Sequence, residues 1–148
     1  MKWMLAVGMA LGAVSLADTA QAQSFFSCQA NDGAFWGLYR LEGQSLQLWN
    51  PGVGWSQDLC SERSCSISDN QIEMRWTSRQ EGQYAYTDQE HILAINRRSG
   101  TGSKRYIGDQ WQYDGRPYTP NGWDPHSDIT ANGSCKKAED PEAGPPKF

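Results

Sequence analysis

The chain has 148 residues and a formal net charge of −4 at pH 7, and 38 % of its residues are hydrophobic. This length corresponds to one domain that is large enough to bury a core. The acidic balance excludes the basic patch that recognises nucleic acid, and no polybasic segment is present to bind anionic lipid. We therefore expect a single domain whose partners are neither nucleic acids nor membrane surfaces.

The first 22 residues have the three parts of a secretory signal peptide. Lys2 gives a positive start, residues 3–16 are apolar or small except for one serine, and the segment ends in Ala20-Gln21-Ala22. The apolar run is shorter than the roughly 20 residues that a membrane-spanning helix needs. We predict cleavage before Gln23, export to the periplasm or the medium, and no stable membrane insertion afterwards.

Four cysteines in an exported chain indicate two disulfides, because such a chain folds in an oxidising compartment. The alternative is a four-cysteine zinc site, which the spacing does not favour because no two cysteines are separated by only two residues. Four cysteines allow three pairings, and sequence alone does not choose among them. We prefer Cys60–Cys65 with Cys28–Cys135, which in the chain-entropy model stabilise the fold by about 2 and about 4–5 kcal/mol.

The hydrophobic residues that follow the signal peptide alternate along the chain and do not recur with a helical period. The clearest case is residues 71–77, where Ile72, Met74 and Trp76 share one face and polar residues share the other. This pattern predicts a half-buried antiparallel strand. It also places Trp76 in the predicted core.

Four further segments have the composition of strands. Residues 35–41 and 45–49 flank a turn centred on Gly43, residues 90–96 are apolar enough on both faces for a central strand, and residues 103–107 follow a glycine-rich turn. Glycine and proline interrupt the chain at short intervals, which is typical of an all-β domain. We predict an all-β fold, arranged as a single antiparallel sheet, a sandwich or a small barrel and stapled by two disulfides.

Two segments lack the strand pattern. Residues 114–128 contain three prolines, and since proline cannot donate to a strand ladder we predict a long loop there. Residues 137–148 are also rich in proline and poor in apolar residues, which predicts a disordered tail. The predicted organisation is a signal peptide at 1–22, a β-rich domain at 23–136 and a tail at 137–148.

Aromatic side chains outside the predicted strands are the first candidates for a binding site. Exposed tryptophan and tyrosine on loops stack on sugar rings or anchor a protein partner. The competing interpretation, which we favour for most of the aromatics, is that they form the core of a domain with few aliphatic residues. Trp55, Tyr118 and Trp123 lie in turn-rich or proline-rich segments and are the residues that we predict to bind a ligand.

A second candidate site is the segment in which Asp124, His126 and Asp128 alternate. One imidazole and two carboxylates on one side of an extended segment have the chemistry of a divalent-cation site. The pattern is short and matches no specific motif, and aspartate and proline are ordinary loop residues. We expect no metal and no cofactor.

Hydrolytic chemistry has little support in the sequence. His91 and His126 are the two histidines, neither lies in a nucleophile or metalloprotease motif, and we expect His91 to be structural. A glycosidase-type pair among the glutamates is an unspecific possibility that any acidic protein offers. The glutamates considered are Glu62, Glu73, Glu81 and Glu90. We assign no catalytic residue.

Two short motifs resemble those of a group of small exported bacterial β-rich proteins. The segment Ile95-Asn96-Arg97-Arg98-Ser99-Gly100 matches their I-[DN]-R-x-[ST]-G hairpin, and Gly133-Ser134-Cys135 matches their closing G-x-C. The resemblance covers about the last third of the predicted domain. It implies a β-hairpin and a final strand tied by a disulfide, and it implies no activity and no site residues.

The lack of a catalytic motif, together with the predicted export signal and disulfides, favours a non-catalytic role. We expect an exported protein that binds a protein or a small ligand in the cell envelope. One alternative is a carbohydrate-binding module that uses the aromatics Trp55, Tyr118 and Trp123, and another is a small secreted hydrolase. Burial of all three aromatics would argue against the first alternative.

Overall fold

A computed structural model describes residues 23–143, so the predicted signal peptide and the last five residues of the predicted tail lie outside the described residues. Nine strands account for most of this segment, and the two helical elements are single 3-10 turns. The strands are β1 Ser24–Ala30, β2 Phe35–Glu42, β3 Ser45–Asn50, β4 Gly54–Trp55, β5 Ser64–Ile67, β6 Gln71–Glu81, β7 Ala85–Asn96, β8 Thr101–Gln112 and β9 His126–Lys137. Within residues 23–143, no helix is long and apolar enough to cross a bilayer.

The strands form one antiparallel sheet in the order β4-β3-β2-β1-β9-β8-β7-β6-β5, curled into a half-barrel. The all-β prediction is therefore confirmed, and of the three arrangements left open the structure has the single sheet. β1 and β9 pair along five residues, which joins the meander of the first four strands to the meander of the last five. Because β6 to β9 have 11 or 12 residues each, they extend beyond the shorter strands as a four-stranded ribbon.

The two edges of the curled sheet are bridged by the 3-10 turn Leu59–Ser61, which lies between β3 and β5. The Asp58 carboxylate caps this turn and accepts hydrogen bonds from the backbone amides of Leu46 and Cys60, each at 3.0 Å. The Gln44 side chain reaches across to the carbonyl of Ile67 at 3.3 Å. These contacts protect edge strands that would otherwise offer unpaired backbone groups to other chains.

The core lies on the concave face and follows the predicted alternation. Ile72 and Met74 of β6 pair with Ile95 and Leu93 of β7, and all four side chains are buried. Trp76 is in phase with them, as predicted, but it is only half-buried at the rim of the core. Trp76 therefore packs against the core at its rim, and the Arg63 guanidinium lies 4.5 Å from the centre of its ring.

Both preferred disulfides are present, and no cysteine within residues 23–143 is free. Cys28 and Cys135 are direct partners in the β1–β9 ladder, with a Cα–Cα distance of 4.0 Å, and Cys28 is fully buried. Cys60 and Cys65 close a short loop around the 3-10 turn. One bridge thus ties the first strand to the last, and the other holds the turn that spans the edges of the half-barrel.

The turn between β7 and β8 explains the spacing of the hairpin motif. The Asn96 side chain accepts hydrogen bonds from the amides of Arg98 and Ser99, each at 3.0 Å, and Gly100 adopts a φ of 70°. The carbonyl of Gly100 then accepts a hydrogen bond from the Cys135 amide at 2.7 Å. The hairpin motif at residues 95–100 and the closing motif at residues 133–135 are therefore adjacent in space.

The proline-rich loop is shorter than predicted, because β9 already begins at His126. His126 and Asp128 belong to that strand, where they pair with β8, so the predicted loop over 114–128 is corrected to residues 113–125. At its other end β9 continues to Lys137, and the Ala138 amide donates to the Phe25 carbonyl at 2.9 Å. Strand pairing therefore runs past the predicted domain boundary at residue 136.

Candidate functional site

Charge is segregated between the two faces of the sheet. Side chains alternate along each strand, and the buried core marks the concave face. By this alternation every acidic residue of the nine strands points to the convex face. Five of them pair there with Arg75, Arg79, Arg105 and His126, whereas Glu42 bonds to Gln23 and Glu81 to Tyr113. The acidic strand residues are Glu42, Glu73, Glu81, Asp88, Glu90, Asp109 and Asp128. The concave face of the strands therefore carries no carboxylate.

Two half-buried cations lie on the concave face without a carboxylate partner, and the exposed Lys137 at the end of β9 is in the same phase. Arg63 precedes β5 and is in phase with the inward Cys65, and Lys104 of β8 stands opposite Leu93 of β7 and Ala131 of β9. Both are half-buried, and neither forms an ion pair with any residue of the described segment. Partly desolvated positive charges of this kind attract an anionic group, because low-dielectric walls screen them less than bulk water does.

A row of four side chains crosses the ribbon beside these cations, and we call it the aromatic row because three of them carry rings. It consists of Trp76 on β6, His91 on β7, Tyr106 on β8 and the aliphatic Ile129 on β9. The rings of Trp76 and His91 are stacked, with centroids 4.8 Å apart and 6° between their planes, and His91 meets Tyr106 edge to face at 5.4 Å. The Arg63 guanidinium lies 4.5 Å from the centre of the Trp76 ring. Such cation–π and aromatic contacts fix the side chains in place.

The row lines a groove of about 260 Å³ together with Lys104, Arg105 and Ala131, and Arg63 lies beside this groove on the Trp76 ring. Ile129 is 61 % exposed at its outer end, which is unusual for a large aliphatic side chain beside aromatic rings. Gly108 lies on the same face, two residues beyond Tyr106. A Cβ atom placed on Gly108 would lie 2.5 Å from the Tyr106 hydroxyl and 3.0 Å from a ring carbon. The Tyr106 ring is therefore packed on the backbone of its own strand, with its opposite face turned away from the sheet.

His91 is a hydrogen-bonded and half-buried member of this groove. Partial burial, followed by the nearby charges of Lys104 and Arg63, lowers the pKa of its imidazole. Its Nε2 lies 3.2 Å from the Ser78 hydroxyl, which also lies 3.0 Å from the Gln89 side-chain oxygen. The histidine tautomer sets which atom donates in the Ser78–His91 hydrogen bond.

The contact between Ser78 and His91 is one part of the geometry that a nucleophilic serine needs. Such a serine requires a histidine that accepts its proton and a further group that orients the imidazole. Within residues 23–143 no carboxylate bonds to the other ring nitrogen of His91.

The three aromatics predicted to bind a ligand do not form one site. Trp55 lies in β4 at one edge of the sheet, where it packs on Phe25 and Trp49 below the Arg40 guanidinium. Tyr118 and Trp123 lie in the loop between β8 and β9, at the far end of the ribbon. Nearly the whole length of β9 separates the two locations. Trp55 and Tyr118 are half-buried, whereas Trp123 is 74 % exposed.

The side chains of Asp124, His126 and Asp128 are engaged with different partners. Asp124 accepts a hydrogen bond from the His126 amide at 2.9 Å, the His126 ring bonds to Asp109 at 2.8 Å, and Asp128 accepts from Arg105 at 2.8 Å. These bonds raise the pKa of His126 and lower the pKa of Asp128. Within residues 23–143 no group of three histidine, cysteine or acidic residues has the geometry of a metal site.

The glutamates considered for a glycosidase pair do not face each other across a cleft. Glu73 and Glu90 lie on the convex face on either side of Arg75, which pairs with both. Glu81 accepts a hydrogen bond from the Tyr113 hydroxyl at 2.8 Å, at the end of the ribbon. Glu62 is exposed after the 3-10 turn.

Sequence reasoning did not identify Arg63, Lys104, Tyr106 or Ile129 as site residues. Lys104 and Tyr106 are in phase on β8, which alternation could have indicated, but nothing in the sequence shows which strands flank them. Arg63 lies inside a short disulfide loop and gives no sequence signal at all. The register of four strands brings Lys104, Tyr106 and Ile129 to one groove, and Arg63 reaches its side through the contact with Trp76.

Comparisons with known proteins add no functional assignment. No protein-family model, curated protein or solved structure matches the chain at a significant level. A fold by itself does not specify a function, because one architecture supports many sites. The groove and its charges are therefore the basis on which a function is argued.

Proposed function

We propose that the protein is an exported, non-catalytic binding protein whose ligand lies in the groove of the concave face. One observation carries this proposal: the strands direct all their carboxylates to the convex face and leave Arg63 and Lys104 unpaired beside the aromatic row. Cations kept away from available carboxylates in a protein of net charge −4 are typical of a site that receives an external group.

The side chains of the groove are held in place by the fold, which also supports binding. Its side chains stand on long strands that are paired on both sides, and they are fixed by stacking and by the Arg63–Trp76 contact. Side chains that are already ordered lose little conformational freedom when a ligand binds, so more of the interaction energy appears as affinity. The Cys60–Cys65 disulfide restricts the short loop that holds Arg63 against Trp76, beside the groove.

Export rests on the signal-peptide pattern of residues 1–22 and on the two disulfides, which are characteristic of oxidising compartments. N-terminal sequencing of protein recovered from the periplasm or medium should begin at Gln23. The intact mass should be four hydrogens below that of the reduced chain. Recovery of an uncleaved, reduced chain from the cytoplasm would contradict this part of the proposal.

Binding in the groove is testable by NMR with the mature, oxidised protein. We expect a fraction of an envelope extract to shift the amide signals of the aromatic row and to leave the convex face unchanged. Ile129→Asp introduces a carboxylate beside Lys104 and should abolish these shifts. Thr130→Asp is the matched control, because the adjacent residue points to the opposite face and the change in charge is the same. Shifts confined to the convex face would refute a groove site.

A second candidate, carbohydrate binding by the loop aromatics, is favoured by the exposure of Trp123. Such an exposed indole is able to stack on a sugar ring. Trp55 is not part of this candidate, because it packs at the opposite edge of the sheet. Loss of glycan binding in Trp123→Ala, with binding unchanged in Ile129→Asp, would favour the loop over the groove.

A further inference from the structure

We propose that the ligand of the groove is an acidic saccharide, specifically a glycan that contains hexuronate residues. This inference rests on the proposed function and names the class of ligand. A hexuronate combines one carboxylate with several hydroxyls on a ring whose C–H face is apolar. The concave face offers a counterpart to each of these three features in adjoining positions.

The carboxylate is matched by the two unpaired cations. Lys104 and His91 both line the groove, and a bound anion would lie against these two side chains. Arg63 adds its positive charge from beyond the Trp76 ring, because the indole lies between its guanidinium and His91. The Arg63 guanidinium is already positioned over Trp76 and bonds to the Met74 sulfur at 3.6 Å, so its orientation is set before a ligand arrives. Charge-assisted hydrogen bonds from such donors are stronger than neutral ones.

The hydroxyls are matched by an uncharged polar surface that continues from the groove along the ribbon. The concave positions beyond the aromatic row carry hydroxyl and carboxamide side chains, which act both as donors and as acceptors. We call this surface the amide band, and it consists of Ser78, Gln80, Thr87, Gln89, Gln110 and Ser127. Some of its members already bond to one another, as Gln89 does to Gln80 at 3.1 Å.

The apolar face of a sugar ring is matched by Tyr106 and Ile129. The Tyr106 ring is packed against Gly108, which leaves its outer face toward the groove, and Ile129 is exposed next to it. Sugars pack their C–H faces on flat aromatic surfaces of this kind. The faces of Trp76 are not available for this contact, because Arg63 and His91 lie close to that ring.

An acidic protein segment is the competing occupant, and the amide band argues against it. Protein interfaces have an apolar centre with aromatic or arginine anchors, surrounded by a polar rim. Here the surface that continues from the cations is polar throughout, and the exposed aromatics Tyr84, Tyr113 and Trp123 lie in the turns beyond its far end. A polar surface of carboxamides next to a cationic pocket fits a chain of hydroxyl groups with an acidic residue better than it fits an apolar protein anchor.

The test is calorimetric titration of the mature, oxidised protein with four probes of matched length. These are oligogalacturonate, the same saccharide with its carboxyls reduced to alcohols, a sulfated neutral oligosaccharide and an oligoglutamate peptide. We expect oligogalacturonate to bind at least about tenfold more tightly than the other three. Lys104→Gln should weaken its binding about tenfold, and Lys136→Gln, which removes the same charge from the convex side of β9, should change it less than about twofold.

Each other outcome overturns the inference in a defined way. Equal binding of the carboxyl-reduced saccharide would show that the acid group does not contribute to binding. Tighter binding of the sulfated probe would show that the preferred acid group is a sulfate and not a carboxylate. Preference for oligoglutamate makes the occupant an acidic protein segment. If none of the probes binds while an envelope fraction still shifts the signals of the aromatic row, the saccharide inference fails and the proposed function stands. If no fraction shifts them either, the proposed function fails as well.

Discussion

Removal of the Cys28–Cys135 bridge should destabilise the protein far more than removal of the Cys60–Cys65 bridge. The two bridges close loops with sequence separations of 107 and 5 residues. In the chain-entropy model these separations correspond to about 4.8 and about 2.1 kcal/mol at 25 °C. Cys28 is also fully buried among core residues, so alanine at that position leaves a small cavity that costs about a further 1 kcal/mol.

The assay is urea unfolding of the double variants Cys28→Ala/Cys135→Ala and Cys60→Ala/Cys65→Ala, with the transition monitored by tryptophan fluorescence. With a denaturant slope of about 1.5 kcal/mol/M, the entropic losses correspond to decreases in the urea midpoint of about 3 M and about 1.4 M. If the first variant does not fold at 25 °C, its loss of stability exceeds the stability of the native protein, which also agrees with the prediction. The reduced native chain should be less stable than either double variant.

Equal losses for the two variants, or a greater loss for Cys60→Ala/Cys65→Ala, would refute the reasoning from loop length. The short bridge would then act chiefly by holding the turn that spans β3 and β5, which Asp58 anchors through two backbone amides. A changed denaturant slope in either variant would indicate that the denatured ensemble had altered as well.

Three further predictions concern particular residues. Gly133→Ala should unfold or severely destabilise the protein, because a Cβ there meets the Gln29 carbonyl, and a thermal midpoint within a few degrees of the native one would contradict the β1–β9 packing. The pKa of His91 is lowered, so the stability that this residue confers is complete above its ordinary pKa and is lost as the pH falls through the lowered value. His91→Gln should therefore flatten the dependence of the thermal midpoint on pH between about pH 7 and pH 5. An unchanged slope would argue against a lowered pKa. Gly108→Ala should displace the Tyr106 ring and weaken groove binding while the protein stays folded, and unaltered affinity would exclude that ring from the ligand contact.

Local alternation predicts strands well wherever one face of the strand is apolar. The strand at Gln71 is predicted from Ile72, Met74 and Trp76, yet it continues to Glu81, and its partner begins at Ala85, before the predicted residue 90. These extensions carry polar residues on both faces, so they have no hydrophobic period to detect. Hydrogen bonding to neighbouring strands keeps them extended, and that pairing is a tertiary property.

The candidate groove was beyond sequence reasoning for a related reason. Arg63 and Ile129 are 66 positions apart in the sequence, and each is unremarkable in its own segment. The register of β6, β7, β8 and β9 places Ile129 in the groove beside Trp76, and Arg63 joins them through its contact with that ring; none of the nine described strands directs a carboxylate to the same face. Trp55, Tyr118 and Trp123 were predicted as binding residues because a sequence shows which residue types a loop contains. It does not show which residues of distant strands become neighbours.

The sequence by itself determined the class of the fold and the apolar parts of several strands, because these depend on local periodicity and turn residues. It left three pairings of the four cysteines open, among which the observed one was a preference. Only the tertiary structure decided that the sheet curls into a half-barrel with its acids outside and two unpaired cations inside. Alternation assigns each residue to one of two faces, but curvature and register decide which face encloses the core and which residues of distant strands become neighbours.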